Sequence, residues 1–440
     1  MIFLFDITKI LVDFYKNICY NSLAIRQVGK KGDKMSNIKK YILYTTIYSV
    51  GLMFCSGAII QTFLLQAGFT AQEVYLYNSL IQIAQVAMMT VMTFLSGNIK
   101  RVKWVTGIAY LSLSVLAFVF LAGALNPDTI GKPFVIAVFL TAAIAYIGVG
   151  LYSILSYCLP YYTIDMHEYG KMTGLGVAAS GGCSFALSFV HTYAVAKFDY
   201  MQTMAWFFVL AILCFIMTSL TCISMKEIKN KEAAHTTTKK DLVAVFKNKD
   251  TYILLLPNFA RGLAVGMMTV ITVIATSAGI LNERTSAYVN IVMQVATFLG
   301  NLIYVFSYKK LSSTTWLLLA TIGACIFFPL CLGKGLVWFL VLFFLAYFFR
   351  MIVDTAIPVV ITEIIPQEQI GAYTSIRMLV FTGAQAVATL IITPIVNLVG
   401  YTGLLIFASF MQLLCGAVYY LVALKEKRKA KMKEVTQEAV

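Results

Sequence analysis

The sequence predicts an all-α integral membrane protein whose twelve transmembrane helices form two pseudo-symmetric six-helix bundles. The chain has 440 residues, of which 60% are hydrophobic and only 12% are charged, about half the charged fraction of a soluble domain. Apolar stretches of about 20 residues, the length that crosses the hydrocarbon core of a bilayer, recur along the chain. The longest polar stretch between them, residues 226–250, separates six apolar stretches from six.

Turn and charge signals such as Asn126-Pro127-Asp128 separate the apolar stretches, which we call spans 1 to 12. Spans 2 and 8 contain several amides, including Asn78 and Asn290, so one face of each is expected to contact protein or water. The predicted spans are residues 41–66, 72–96, 102–123, 134–158, 173–196, 202–225, 251–279, 285–308, 313–332, 335–361, 372–398 and 401–424.

The distribution of basic residues predicts that both ends of the chain are cytoplasmic. With that orientation, the cytoplasmic segments hold 27 of the 34 lysines and arginines, the outer loops hold four and the spans hold three. Such an excess is typical of the cytoplasmic side of membrane proteins. Contact with anionic lipid accounts for the net charge of +15, so we expect a multi-pass protein of the cell (inner) membrane and no nucleic-acid partner.

The predicted organisation has five parts. They are a cytoplasmic N-terminal segment (1–40), a first bundle (41–225), a cytoplasmic linker (226–250), a second bundle (251–424) and a basic cytoplasmic tail (425–440). Within the N-terminal segment, residues 1–34 are interpreted either as an amphipathic helix at the membrane surface or as a leader before a true start at Met35.

A weak internal repeat supports the division into two halves. Pro160 is followed five residues later by Asp165, and Pro358 is followed five residues later by Glu363. Both pairs lie at the predicted cytoplasmic ends of spans 4 and 10. Matching positions in two halves are typical of transporters built from structural repeats.

These features resemble the major facilitator superfamily over about residues 40–424. The resemblance rests on twelve spans in two halves, the basic linker, and the basic loops SGNIKRVK after span 2 and SYKKLS after span 8. The family's loop after span 2 reads roughly G-x-x-x-D-[RK]-x-G-[RK]-[RK]. Here Asn98 takes the place of the aspartate and the flanking glycines are missing, so only the basic cluster is retained.

Two segments resemble the glycoside–pentoside–hexuronide cation symporters within that superfamily. One is the linker end, from Lys239-Lys240-Asp241-Leu242 to Phe246-Lys247-Asn248-Lys249, and the other is Asp165-x-x-Glu168-Tyr169-Gly170. That group keeps membrane carboxylates in span 2 for its cation. Span 2 has none here, so the resemblance carries no cation site to that span.

The resemblance implies a secondary transporter in which spans 1, 4, 7 and 10 line a central cavity. It implies a small-molecule solute, with a sugar or glycoside expected, and cation-coupled symport with H⁺ or Na⁺. We expect a monomer in the lipid bilayer, with no other cofactor. The candidate residues for solute binding or coupling are Gln61, Tyr152, Asn258, Arg261, Tyr347, Arg350 and Asp354.

Charged side chains at membrane depth cost from about 2.5 kcal/mol upward unless they are paired or face water. Arg350 and Asp354 in span 10 are four residues apart and share a helix face with Tyr347. Two interpretations stay open. The pair is either a structural ion pair within the helix, or a solute-binding arginine beside a carboxylate that changes partner or protonation during transport.

Span 7 places Asn258 and Arg261 on one helix face, three residues apart. No acid lies within this span, so Arg261 is expected to pair with an acid from another helix, and Asp354 is the natural candidate. Solute contact and a brace between helices are both open for Arg261. Pro257 and Gly262 are expected to loosen the helix at this point.

A set of charged residues at the cytoplasmic ends of the spans is predicted to latch the two halves together when the cavity opens outward. The alternative is that they are ordinary solvated charges, which contribute under about 1 kcal/mol per pair. The predicted latch residues are Lys100, Arg101, Asp165, Glu168, Glu363 and Arg377.

Other functions are disfavoured by what the sequence contains. The nine cysteines form no CxxC pair, so no metal site is predicted, and no GxxxxGK[ST] loop is present for ATP. An exporter of amphipathic compounds remains the alternative within transport. A polytopic membrane enzyme is the weakest alternative, because the outer loops are short and Asp165-x-x-Glu168 is its one candidate site.

Overall fold

A computed structural model describes residues 36–95, 99, 101–127, 130–163, 169–226, 247, 253–307, 310–333, 335–365 and 370–438. These residues are almost entirely helical, and the helices coincide with the twelve predicted spans. The predicted N-terminal helix or leader and nearly all of the linker lie outside the described residues.

The first six spans form the N-terminal bundle. Their helices are Asn37–Cys55 with Gly57–Gln66 (span 1), Ala71–Leu95 (span 2), Val102–Leu125 (span 3), Lys132–Thr163 (span 4), Tyr169–Lys197 (span 5) and Tyr200–Ile223 (span 6).

The second six spans form the C-terminal bundle. Spans 11 and 12 are one continuous helix, Ile370–Glu438, which turns at Gly400 with a φ of 70°. The others are Leu255–Thr269 with Ile271–Ser277 (span 7), Glu283–Ser307 (span 8), Ser313–Phe327 (span 9) and Leu336–Ile364 (span 10).

The described helices have the lengths and composition of membrane crossings. Eight are long and apolar enough to cross a bilayer, or nine if the bent pair in span 7 counts as one crossing. One of the eight, Tyr373–Lys425, contains both span 11 and span 12. Spans 5 and 9 are also helical, at Tyr169–Lys197 and Ser313–Phe327, so the described residues contain a helix at each of the twelve predicted spans and the predicted all-α fold is confirmed.

Local chemistry explains where several spans begin and end. Span 2 starts with a reciprocal cap in which Glu73 accepts a 2.8 Å hydrogen bond from the Thr70 backbone while its own backbone N–H donates to the Thr70 hydroxyl. Span 9 ends at Phe327, earlier than expected, because Pro329 cannot continue a helix. Span 12 instead runs beyond residue 424 to Glu438, through a tail without Gly or Pro.

The two bundles have the same internal arrangement. In the first bundle, span 1 packs on spans 5 and 6, and span 3 packs on spans 4 and 6. In the second, span 7 packs on the helix of spans 11 and 12, and span 9 packs on span 10 and on that helix. Each pair of packed spans in the first bundle therefore has a counterpart six spans later in the second bundle, as the predicted internal symmetry requires.

Hydrogen bonds at the start of span 1 identify the side of the molecule on which the linker begins. The Asn37 side-chain amide donates to the carbonyl oxygens of Thr163 at 2.6 Å and Lys226 at 2.7 Å. The start of span 1 and the ends of spans 4 and 6 therefore lie together, where the chain enters the linker. We call this the linker side and the opposite side the far side.

The bundles contact each other toward the far side. Span 2 packs on the helix of spans 11 and 12, and span 5 packs on span 8. Hydrogen bonds between described residues cross this interface in the far half of the helices. They include Gln61 to the Thr269 carbonyl oxygen (2.7 Å), the Ser79 hydroxyl to the Ala386 carbonyl oxygen (3.0 Å) and Asn290 to the Ser188 hydroxyl (2.8 Å).

The buried core divides in the same way. The larger apolar cluster contains residues from both bundles, such as Phe54 and Phe343. A second cluster lies toward the linker side and draws its buried residues from the C-terminal bundle alone, among them Leu254, Tyr373 and Tyr419. The shared packing of the bundles is therefore concentrated away from the linker.

Spans 1 and 7 are both interrupted before their far ends. Span 1 breaks at Ser56, and Gly57 adopts a φ of 61° that favours glycine. Span 7 bends by 50° at Val270. The expected loosening is wrong at Gly262, where the helix is continuous, whereas Pro257 lies in the first turn of the helix, directly after a turn at Leu254. Gly262 instead allows close packing, since a Cβ atom on it would lie 2.4 Å from the Phe381 carbonyl oxygen of span 11.

Candidate functional site

The central charged group of the C-terminal bundle is Asp354 of span 10. Its Oδ1 accepts a hydrogen bond from Arg261 Nη2 of span 7, as the sequence predicted. Its Oδ2 lies 3.6 Å from Arg350 Nε, one helical turn away. The side chain of Asp354 is 21% exposed and that of Arg261 only 8%, so the carboxylate is the more accessible member of the pair.

Each arginine also lies over an aromatic ring. The Arg350 guanidinium is 4.8 Å from the Tyr347 ring centroid, which confirms the shared face of span 10. The Arg261 guanidinium is 4.7 Å from the ring centroid of Phe381 in span 11. These cation–π contacts stabilise both charges in surroundings that hold little water.

Asn258 connects three helices on the linker side of the charged group. Its Nδ2 donates to the hydroxyl of Tyr419 at 2.5 Å and to that of Tyr373 at 3.2 Å. The two tyrosine hydroxyls are 3.3 Å apart. Asn258 is fully buried, so this contact ties span 7 to spans 11 and 12 inside the bundle.

Arg377 of span 11 belongs to the same neighbourhood. It lies close enough to Cys415, Tyr373 and Tyr419 to act on them electrostatically. Its Nε is buried and has no hydrogen-bond partner among the described residues. The described charges of this polar core are thus several guanidinium groups around the single carboxylate of Asp354.

Comparison with solved structures identifies the architecture. A D-xylose–proton symporter is 14% identical, with a TM-score of 0.63 over 88% of this chain and 96% of that chain. A bacterial homologue of the iron transporter ferroportin gives 12% identity and a TM-score of 0.61, over 89% and 99%. The nucleoside transporter NupG gives 13% identity and a TM-score of 0.56, over 90% and 99%.

The fold is that of the major facilitator superfamily. At 12–14% identity these likenesses show the fold alone. At the level of sequence, no family model and no curated protein matches the chain.

Within this facilitator fold, the polar residues of span 7 point into their own bundle. Asn258 and Arg261 are buried against spans 10, 11 and 12, whereas Leu256 and Phe259 are the exposed side chains of the same segment. Arg350 likewise lies among residues of spans 7, 9 and 12. The structure therefore brings Asn258, Arg261, Tyr347, Arg350 and Asp354 together as one polar core.

Gln61 and Tyr152 lie elsewhere. Gln61 is at the far-side contact between the bundles, where it bonds to Thr269. Tyr152 is buried in the N-terminal bundle, in a cluster of aromatic rings. Its ring centroid is 4.5 Å from that of Tyr110 and 5.2 Å from that of Tyr48.

Of the six predicted latch residues, the structure describes the side chains of Arg101 and Arg377. Lys100, Asp165 and Glu168 lie outside the described residues, as does the side chain of Glu363. Arg101 is exposed at the start of span 3. Arg377 is in the polar core described above, so the latch stays a prediction.

Sequence reasoning missed two polar residues of this region, Ser409 and Gln412 of span 12. Both are buried beside Arg350. The signal was present, because they are three residues apart on one face of an otherwise apolar helix. Thr269 was also missed, since its carbonyl oxygen becomes a bonding partner only where span 7 bends.

Proposed function

We propose that the chain is a secondary active transporter that moves a small polar solute by alternating access. The observation that carries this proposal is the far-side contact between two bundles of the same internal arrangement, which combines apolar packing with separate polar contacts between helices. Rocking of the bundles would open that side and close the other. The interruptions of spans 1 and 7 lie next to this contact, where a change of helix direction requires the fewest backbone hydrogen bonds to move.

We further propose cation-coupled symport of a sugar or glycoside. Asp354 is the coupling residue in this proposal, because it is a partly exposed carboxylate between two arginines. Binding of H⁺ or Na⁺ to it would weaken its hold on Arg261, and the freed guanidinium could then change its contacts. A D-xylose–proton symporter is among the similar structures, which fits this proposal.

The proposed setting is the inner membrane, with the linker side cytoplasmic and the protein a monomer. The 27 basic residues expected on that side support this orientation. Labelling of single cysteines in intact cells tests it. A cysteine at exposed Ser277 should react with an impermeant reagent, and one at exposed Lys425 should react only after the membrane is opened. The reverse pattern would overturn the orientation.

Charge movement in proteoliposomes tests the transport proposal. Purified protein is challenged with sugars, glycosides and sugar acids, with and without a sodium or proton gradient. A solute-triggered current that disappears in Asp354→Asn supports symport and identifies the solute class. Silence across the panel, in protein shown to be folded, contradicts it and favours an exporter of amphipathic compounds.

A further inference from the structure

A small cavity lies inside the C-terminal bundle, between spans 7, 9, 10 and 12. Its volume is about 10 Å³, which is room for about one water-sized sphere. Met268 and Phe328 contribute apolar walls, and three polar side chains, Arg350, Ser409 and Gln412, also line it. This cavity is separate from the contact between Arg261 and Asp354.

The polar side chains around the cavity carry unused hydrogen-bonding groups. Arg350 Nε, Ser409 Oγ and Gln412 Nε2 are buried and have no hydrogen-bond partner among the described residues. Asp354 Oδ2, at 3.6 Å from Arg350 Nε, is beyond hydrogen-bond distance. Ser409 and Gln412 are each only 7% exposed. A guanidinium and an amide NH₂ can only donate, so a ligand in this cavity has to accept.

The local charge favours an anion as that ligand. Arg261 and Arg350 share the single carboxylate of Asp354, so these three residues carry a net charge of +1 when all are ionised. An uncompensated charge at membrane depth is costly. An anion compensates it, whereas a neutral water molecule does not.

We propose that this cavity binds a small anion through Arg350, Ser409 and Gln412. The ligand is either a free monovalent anion such as a halide or the carboxylate of an organic acid, which share the same acceptor chemistry. An anion is larger than water, and the flexible thioether side chain of Met268 lets the cavity widen. The site does not depend on the proposed transport function, because binding is measured in the purified protein.

Thermal unfolding of the full-length protein in detergent tests the proposal. Sodium bromide is titrated against sodium methanesulfonate at constant ionic strength. Bromide is expected to raise the Tm in a saturable manner. Ser409→Ala and Gln412→Met should each weaken bromide binding about tenfold, since each removes a hydrogen bond to a charged ligand. Ser219→Ala, at a buried serine of span 6, is the matched control and should leave bromide affinity unchanged.

A competition arm separates the two sources of the anion. If sodium gluconate competes with bromide, the cavity accepts an organic carboxylate. If gluconate has no effect on bromide binding, a free halide is the ligand. Both results support an anion site.

Other results would overturn it. A rise in Tm that does not saturate with bromide would do so, as would an equal rise in bromide and in methanesulfonate. An unchanged bromide affinity in both Ser409→Ala and Gln412→Met would also do so. If the variants fail to fold, anomalous scattering decides. A bromide peak between Arg350 and Gln412 in crystals of the unaltered protein supports the site, and water density there overturns it. Loss of transport with intact bromide binding would count against the proposed function only.

Discussion

Gln61 Nε2 donates a 2.7 Å hydrogen bond to the carbonyl oxygen of Thr269, which joins span 1 to span 7 across the two bundles. Thr269 is the last residue before the bend of span 7, and Gln61 lies about one helical turn after the break of span 1. Gln61 is fully buried, and its Oε1 has no hydrogen-bond partner among the described residues. In the closed far side, Gln61 therefore has a bonded Nε2 and an Oε1 without a partner among the described residues. The buried, unbonded Oε1 lowers the net stabilisation that Gln61 gives to the closed state.

Gln61→Ala is expected to shift the protein toward a state that is open on the far side. The lost hydrogen bond contributes about 0.5–1.5 kcal/mol, so the open population should rise roughly two- to twelvefold. Distances between spin labels at residues 66 and 278, at the far ends of spans 1 and 7, report this change.

The control for this experiment is Ser112→Ala. The Ser112 hydroxyl donates to the carbonyl oxygens of Ala109 and Ala145 within the N-terminal bundle. Its loss should not move the label distances. An unchanged distance distribution in Gln61→Ala as well would show that this bond does not hold the far side closed.

Asp354→Asn is expected to abolish solute accumulation and to destabilise the protein. Removing one partner of a buried ion pair costs about 3–5 kcal/mol, and the partial exposure of Asp354 places the loss toward the lower end. Thermal unfolding measures the stability and proteoliposome uptake measures accumulation. The double variant Arg261→Gln, Asp354→Asn should recover most of the stability and none of the accumulation. Normal accumulation in that neutral variant would show that the pair is only structural.

Tyr419→Phe is expected to lower the free energy of unfolding by about 0.5–1.5 kcal/mol, the net contribution of one hydrogen bond. The change removes the 2.5 Å hydrogen bond from Asn258, whose amide keeps the Leu254 carbonyl oxygen (2.7 Å) and the Tyr373 hydroxyl (3.2 Å) as acceptors. Denaturant unfolding in detergent measures the loss. Tyr420→Phe, at the next residue, is the control and should have a small effect, so equal losses in the two variants would contradict the importance of the Asn258 contact.

Gly262→Ala is expected to destabilise the packing of span 7 on span 11 by about 1–3 kcal/mol. The added Cβ would lie 2.4 Å from the Phe381 carbonyl oxygen and 2.6 Å from Ala384 Cβ. Gly383→Ala in span 11 is the matched control, because its Cβ would meet no atom within 4 Å. The measured quantity is the free energy of unfolding of each variant. A Gly262→Ala protein as stable as the Gly383→Ala protein would mean that the two helices can separate at little cost.

The positions of the spans could be predicted because each depends on a local property, about 20 apolar residues in a row. Their ends could be predicted less well, since a single Pro329 ends span 9 early. The pairing of Arg350 with Asp354 followed from helical spacing. The contact of Arg261 with Asp354 followed from the scarcity of membrane carboxylates, which left few possible partners.

The sequence by itself determined the twelve spans, their division into two halves and the charged residues that need partners. Only the tertiary structure decided that Asn258 bonds to Tyr419, that Gln61 bonds to Thr269, and that Ser409 and Gln412 meet Arg350. The physical reason is that an apolar helix can turn any face toward lipid or toward a neighbour at similar cost. The rotation of each helix is set by packing against residues far away in the chain, and no local pattern records that packing.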